Sequence, residues 1–143
     1  MFINKLEQNR NINFFFNKIY HLLLSEKFSK KINFNFDKRS RIDLIQHIIE
    51  NKNYKTYLEI GCHNNEVFDK ISIEKIGVDP VSGGNYRGLS DDFFKENKIN
   101  FDCIFIDGLH EYDQVKRDII NSVKILNKNG MIILHDCLPP SIN

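Results

Sequence analysis

The sequence predicts an α/β fold in which a mostly parallel sheet carries helices on both faces. Three observations lead to this prediction. Apolar strand patterns alternate with helical patterns along residues 37–143. The strand interiors are nearly continuous apolar runs, which is typical of strands buried on both faces. The connections have the length of crossover helices, and right-handed crossovers leave few topologies for such a sheet.

Length and composition limit the function classes. The 143 residues are enough for one domain with its own core, and the formal net charge is only +1. We therefore expect neither nucleic acid nor an anionic membrane as a partner. Three cysteines without a CxxC pair favour a reducing compartment, and no signal peptide is recognisable, so we expect a cytoplasmic protein.

Residues 1–36 are rich in Asn, Lys and Phe and contain neither Gly nor Pro. We interpret them as a helical or partly ordered leader to a domain at 37–143. The most apolar stretch of the leader, FFFNKIYHLLL, is too short and too polar to cross a bilayer. It is typical of an amphipathic helix packed on the domain, and a membrane-surface or dimer helix is the alternative.

The domain begins with a helix, a strand and a second helix. Ser40 with Asp43 forms a candidate amino-terminal cap. Four isoleucines follow at helical spacing: Ile42, Ile45, Ile48 and Ile49. The apolar run at 56–61 predicts a strand that ends at Gly61. A further apolar group indicates another helix: Val67, Phe68 and Ile71.

The middle of the chain is predicted to form a strand, a turn and a short helix. The run at 75–80 predicts a second strand that stops at an Asp-Pro pair. Glycines in 81–88 predict a flexible turn, with a weak extra strand near Tyr86. A short helix capped by Ser90 is expected at 89–97.

The last predicted elements are a strand at 101–107, a helix at 111–130 and a strand at 131–137. The helix presents one apolar face: Val115, Ile119, Val123 and Leu126. Asn129 and Gly130 are expected to end it as a carboxyl cap.

Polar and acidic residues follow each main predicted strand. These residues are Glu59 and Gly61, then Asp79, then Asp107 with His110, and finally His135 with Asp136. Since the carboxyl ends of parallel strands share one edge of a sheet, we expect these side chains to line one ligand crevice.

The loop after the first strand, GCHNNE, has a single glycine, so the fingerprint that binds a pyrophosphate is absent. Glu59 beside Gly61 favours a cationic ligand instead, and the sulfonium and ammonium of S-adenosylmethionine suit that charge. Asp79 lies 18 residues after Gly61 and is placed to accept hydrogen bonds from ribose hydroxyls. That feature is shared with dinucleotide sites.

The ordered segments YLEIG, IGVDP, SDDFF, FDCIFIDGLHEY and NKNGMIILHDC resemble class I S-adenosylmethionine-dependent methyltransferases, particularly the small-molecule O-methyltransferase-like branch. The resemblance covers roughly residues 40–140 and implies a Rossmann-like sheet. It also implies cofactor contacts: Glu59 and Gly61 at the methionine part, Asp79 at the ribose, and Ser90, Asp91 and Phe93 at the adenine.

In metal-dependent relatives, an acid after the fourth strand and an acid-amide pair after the fifth hold a divalent ion. Asp107 and Asp136 match the acids and would bind an ion such as magnesium. Cys137 stands at the amide position, and a thiol is a poor ligand for magnesium. A metal is therefore an option that the resemblance leaves open. His63 and Asn65 replace later glycines of the family's first loop.

The last two strands of the family's sheet have no counterpart among the predicted elements. The sheet would then have an open edge, and such an edge can pair with another chain. A homo-oligomer formed through this edge or through the leader helix is one expectation for the protein.

The resulting hypothesis is methyl transfer from S-adenosylmethionine to a hydroxyl of a small or sugar-like molecule. The catalytic candidates are Asp107 with His110 and His135, since an imidazole can accept the hydroxyl proton near neutral pH. Purely structural histidines are the alternative. A catalytically inactive binding or interaction module is the second hypothesis. A nicotinamide-dependent oxidoreductase is the third, because Asp79 suits a dinucleotide but the phosphate loop does not.

Overall fold

A computed structural model describes residues 40–136. Among these residues are five strands: β1 (Thr56–Ile60), β2 (Glu74–Asp79), β3 (Tyr86–Arg87), β4 (Phe101–Ile106) and β5 (Leu126–Leu134). Three α-helices accompany them: α1 (Arg41–Lys52), α2 (Ser90–Glu96) and α3 (Tyr112–Lys124). The predicted leader at 1–36 and Cys137 lie outside the described residues.

The strands form one sheet in the order β3-β2-β1-β4-β5, and every neighbouring pair is parallel. This confirms the predicted parallel sheet, including the short strand at Tyr86. Strands β2 and β3 lie on one side of β1, and strands β4 and β5 lie on its other side. A crevice is expected above the boundary between β1 and β4, where the direction switches.

Helices cover both faces of the sheet, as predicted. On one face, Tyr57 and Phe105 pack in a core cluster with Ile45 and Ile49 of α1. On the other face a second cluster joins α2 and α3 to the sheet, and its members include Leu58, Ile104, Phe93 and Ile119. No helix within residues 40–136 has both the length and the apolar character needed to cross a bilayer.

Helix α1 begins as the sequence predicts. The Ser40 hydroxyl accepts from the backbone N–H of Asp43, and the Asp43 carboxylate accepts from the N–H of Ser40 at 3.0 Å. Such a capping box contributes about 1 kcal/mol and fixes the first helical turn. Arg41 is consequently held as the first residue of the helix.

Two of the helix predictions need correction. The second helix is only a 3₁₀ turn, Phe68–Lys70, because Ile71 already adopts an extended conformation leading into β2. Helix α2 has Leu89 rather than Ser90 at its N-cap position. The Ser90 hydroxyl instead donates to the carboxylate of Asp118 at 2.7 Å.

The predicted boundary between α3 and β5 is also wrong. The helix ends at Lys124, and Leu126 already pairs with Phe101 of β4. The sequence pattern misled because the helix buries the polar residues Asp118 and Ser122, whereas Val123 is 60 % exposed.

Asn129 and Gly130 form an irregularity inside β5 instead of a helix cap. Between Phe101 and Cys103 of β4 the pairing partner jumps from Leu126 to Met131. Asn129 takes a left-handed φ of 69°, and its carbonyl oxygen accepts a 2.6 Å hydrogen bond from the hydroxyl of Tyr54. The sequence therefore correctly indicated a turn conformation at Asn129. The contact with Tyr54 places this turn within a strand instead of at a helix end.

Gly61 allows β1 to pass close to the end of β4. Its φ is 87°, and a β-carbon added there would lie 2.3 Å from the carbonyl oxygen of Asp107. We expect Gly61→Ala to lower the free energy of unfolding by about 1–3 kcal/mol from backbone strain alone, with the clash adding to this. Urea denaturation measures the loss.

The matched control is Gly108→Ala, whose added β-carbon would meet no atom closer than 3.4 Å. We expect it to fold with nearly wild-type stability. Equal losses in the two variants would contradict the close approach inferred at Gly61.

Candidate functional site

A cleft of about 670 Å³ opens at the carboxyl ends of β1, β2 and β4. It lies at the switch point of the sheet, the usual position of ligands in open α/β folds. Five of the ten predicted site residues line it: Gly61, Asp79, Ser90, Asp91 and Asp107. The structure thus gathers residues from several separate loops around one space.

The other five do not line this cleft: Glu59, Phe93, His110, His135 and Asp136. The ring of Phe93 is buried in the core, with its centroid 5.2 Å from that of Tyr86 and 6.4 Å from that of Phe101. It therefore belongs to the packing beneath α2, and it offers no surface to a ligand. Glu59 lines a neighbouring polar cavity of about 410 Å³, which Asp107 also lines.

The carboxylate of Asp79 accepts hydrogen bonds from four backbone N–H groups. One oxygen accepts from Cys62 and His63 at 3.0 and 2.9 Å. The other accepts from Val81 and Ser82, both at 2.8 Å. Burial alone would raise the pKa of this carboxyl group, but the four donors hold the pKa below its ordinary value. Asp79 therefore stays charged and ties the loop after β1 to the loop after β2.

Asp118 is a buried acid in the wall of the cleft that sequence reasoning missed. It is 1 % exposed, and one of its oxygens accepts from the Ser90 hydroxyl at 2.7 Å and from the Gln114 amide at 3.0 Å. Burial raises the pKa of Asp118, and the two hydrogen bonds act in the opposite direction. The sequence did contain a signal for this buried acid. Gln114, Asp118 and Ser122 are spaced four residues apart, which places three polar residues on one face of a helix.

Three apolar side chains at the cleft are exposed to solvent. Val81, Leu89 and Leu109 are 84 %, 58 % and 58 % exposed, and each lines the cleft. Exposed apolar residues grouped around a concavity are typical of a surface that a ligand covers. Sequence reasoning assigned the apolar contact to Phe93 instead, because it could not tell which apolar side chains stay outside the core.

Glu59 is a buried carboxylic acid on the central strand. It is 2 % exposed and accepts a 2.6 Å hydrogen bond from the hydroxyl of Tyr57. Burial raises the pKa of Glu59 from 4.5 to about 7, although the hydrogen bond from Tyr57 and the charge of Arg41 act in the opposite direction. The carboxyl group therefore changes its charge close to neutral pH.

Asp107 and two histidines meet at the ends of β4 and β5. One carboxylate oxygen of Asp107 lies 2.9 Å from Nδ1 of His135 and 3.7 Å from Nε2 of His110. The side chain of His110 is 57 % exposed, whereas that of His135 is more buried and contacts the ring of Phe105. The three residues singled out as catalytic candidates are therefore neighbours.

Arg41 joins this cluster from the start of α1. Its Nη1 donates to the second oxygen of Asp107 at 3.1 Å and lies 3.4 Å from Nε2 of His135. Its Nη2 donates to Glu66 at 2.7 Å. Sequence reasoning missed Arg41, because its contact with Asp107 spans 66 residues and has no local signature.

Among the described residues, one group could hold a metal ion. It consists of Asp107, His110 and His135, whose ligand atoms lie within 4.8 Å of one another. Asp136, the second predicted metal ligand, is not part of this group. Its side chain is 66 % exposed, and its carboxylate lies 3.5 Å from Nδ1 of His135. One carboxylate and two imidazoles suit a transition metal better than magnesium, which prefers oxygen ligands.

Comparison with known proteins identifies the domain. Residues 50–137, well over half of the chain, match a family model described as a methyltransferase domain. The matched range contains all five strands and the residues of the cleft. No curated protein matches the chain significantly.

The raised pKa of Glu59 implies that stability falls as the pH rises. Below its unfolded pKa of 4.5, the carboxyl group is protonated in the folded and the unfolded chain, so the buried acid carries no penalty. Between pH 4.5 and the folded pKa of about 7, the unfolded chain releases its proton first. The free energy of unfolding then falls by up to about 3 kcal/mol over this window.

We expect Glu59→Gln to remove this slope, because an amide cannot ionise and its carbonyl oxygen can still accept from Tyr57. Urea denaturation at about pH 5 and about pH 8 measures the difference from the wild-type protein. Glu50→Gln, at an exposed position of α1, is the control and should keep the wild-type slope. Parallel slopes for the wild type and Glu59→Gln would rule out Glu59 as its source.

Proposed function

Because the chain belongs to the class I S-adenosylmethionine-dependent methyltransferases, we propose that it moves a methyl group from this cofactor to a hydroxyl of a small or sugar-like molecule. One observation carries the proposal. The described lining of the cleft includes four aspartates and neither a lysine nor an arginine: Asp79, Asp91, Asp107 and Asp118. A cationic ligand is favoured in such surroundings.

When bound, S-adenosylmethionine supplies a methyl group on a positively charged sulfonium. The molecule also carries an ammonium and no phosphate, so the charge of the cleft fits it. A nicotinamide dinucleotide would bring a pyrophosphate toward Asp79, which stays charged, while the arginines that pair with Asp91 and Asp107 do not line the cleft. The charge of the cleft therefore favours the methyl donor over the dinucleotide.

We assign the adenine end of the cleft to Val81, Leu89 and Leu109, which would cover a flat aromatic ring. Ser90 and Asp91 also line the cleft, and we propose them as polar contacts of the base. The ribose contact predicted for Asp79 would compete with its four backbone donors, so the main role of that carboxylate is to hold the two loops in place.

His110 is the better candidate for the general base. With Nε2–H turned toward Asp107, its Nδ1 keeps a lone pair that can accept the proton of the acceptor hydroxyl. Asp107 would then stabilise the imidazolium that forms. Both ring nitrogens of His135 already face charged partners, Asp107 and Arg41, so His135 is proposed to position Asp107.

Alignment would supply most of the rate enhancement, because an acceptor oxygen held in line with the methyl group reacts as if it were highly concentrated. The side chain of His110 is 57 % exposed, so a hydroxylated acceptor of modest size could reach it from solvent. No step of this proposal passes through a metal ion.

Calorimetric titration with S-adenosylhomocysteine tests the cofactor assignment. We expect the wild-type chain to bind one molecule and Val81→Asp to weaken binding by about tenfold or more, because a carboxylate at this position would lose hydration beneath the bound ring. Val123→Asp is the matched control, since this exposed valine lies on α3 away from the cleft lining. A folded wild-type chain that does not bind would remove the proposal.

Transfer of radiolabelled methyl groups to a panel of simple sugars and phenols tests the acceptor class. We expect labelled ethers, and we expect His110→Gln to lower kcat by about 100-fold with little change in S-adenosylhomocysteine affinity. Cofactor binding without transfer to any member of the panel would favour the inactive module.

A further inference from the structure

We propose that the guanidinium of Arg41 takes the place of a divalent metal beside Asp107, so that the acceptor site works without a metal ion. The inference rests on the proposed function only in treating the cluster of Asp107, His110, His135 and Arg41, the rim around Asp107, as the acceptor site.

The guanidinium already connects the groups that a metal would need. One end donates to the Asp107 carboxylate at 3.1 Å and lies 3.4 Å from Nε2 of His135. The other end donates to Glu66 at 2.7 Å. One positive charge is thus shared between two carboxylates and an imidazole, and the capping box at Ser40 fixes the helical turn that carries it.

The contact with Arg41 also fixes the tautomer of His135. A guanidinium has only donors, so Nε2 of His135 must present its lone pair to Arg41 and Nδ1 must carry the proton. That Nδ1 lies at ion-pair distance from Asp107, 2.9 Å from one carboxylate oxygen. Metal binding through Nδ1 would reverse this arrangement and turn an N–H of His135 toward the donors of Arg41.

Without His135, the residues of the group described here offer too few ligands for a metal. Asp107 would offer one oxygen, because the other is held by Arg41, and His110 would offer one exposed nitrogen. Catalytic metal sites in proteins usually have three protein ligands. Asp136 lies outside the group of ligand atoms that come within 4.8 Å of one another.

This exchange of a metal for an arginine has a consequence for the acceptor. A divalent ion can chelate two adjacent hydroxyls, whereas a guanidinium donates hydrogen bonds to single oxygens and remains charged at every accessible pH. The acceptor therefore needs only one hydroxyl, at the reacting position. A second hydroxyl beside it is not required.

Titration of the full, untagged chain with Co²⁺ tests the proposal, because histidine ligands give Co²⁺ characteristic visible absorption. We expect the wild-type chain to give no histidine-dependent band. Arg41→Met should raise the affinity for Co²⁺ by about tenfold or more, since it frees Asp107 and His135 together. Adding His135→Ala to Arg41→Met should abolish the gain.

Two controls separate the charge from the site. Arg41→Lys keeps a cation at the position and should bind Co²⁺ as weakly as the wild type. Arg117→Met removes an arginine that pairs with Asp91, and it should cause no gain. One Co²⁺ bound per wild-type chain through His135, or a folded Arg41→Met that gains no affinity, would overturn the proposal.

A measurement on the wild-type chain decides the question if Arg41→Met does not fold. Nitrogen-15 chemical shifts of the histidine rings report which nitrogen carries the proton. We expect the Nδ1–H form for His135, and an Nε2–H form would overturn the proposal. Both readouts are independent of S-adenosylhomocysteine binding, so failure of the proposed function can be told apart from failure of this inference.

Discussion

The candidate site depends on the carboxylate of Asp79, which joins two loops at the end of β2. Its four backbone donors come from the loop after β1 and the loop after β2. Because the folded pKa of Asp79 lies below its unfolded value of 3.8, this stabilisation is complete above that pH and is lost only as the pH falls through the folded pKa. The charge-assisted bonds therefore preform the walls of the cleft at neutral pH.

The acids of the site have different surroundings. Backbone donors keep Asp79 ionised, whereas burial raises the pKa of Asp118 and of Glu59. Asp107 has a third environment, since one of its oxygens is paired with Arg41. The cleft consequently attracts a cation at its ionised acids, while the rim at Asp107 is compensated from within the protein. This division fits a cationic donor on one side and a neutral hydroxyl on the other.

The sheet could be predicted from the sequence because each strand has a local signature, and the crevice followed because parallel strands end at one edge. The boundary between α3 and β5 could not be predicted. Helical periodicity assigned Val123 to the core, but the polar face with Asp118 and Ser122 is the buried one. Likewise, nothing local indicates that the turn at Asn129 is held inside a strand by Tyr54.

Arg41 shows why the site was only partly predictable. The sequence did reveal the cap at Ser40 and the isoleucines that dock α1 on the sheet, including Ile45 and Ile49. Those features place the first residue of the helix, but which group it meets depends on where β4 ends. Once α1 is docked, moving Arg41 away would leave the partly buried carboxylate of Asp107 without its guanidinium partner, which is costly. The packing of a helix on the sheet therefore sets the charge of the acceptor rim.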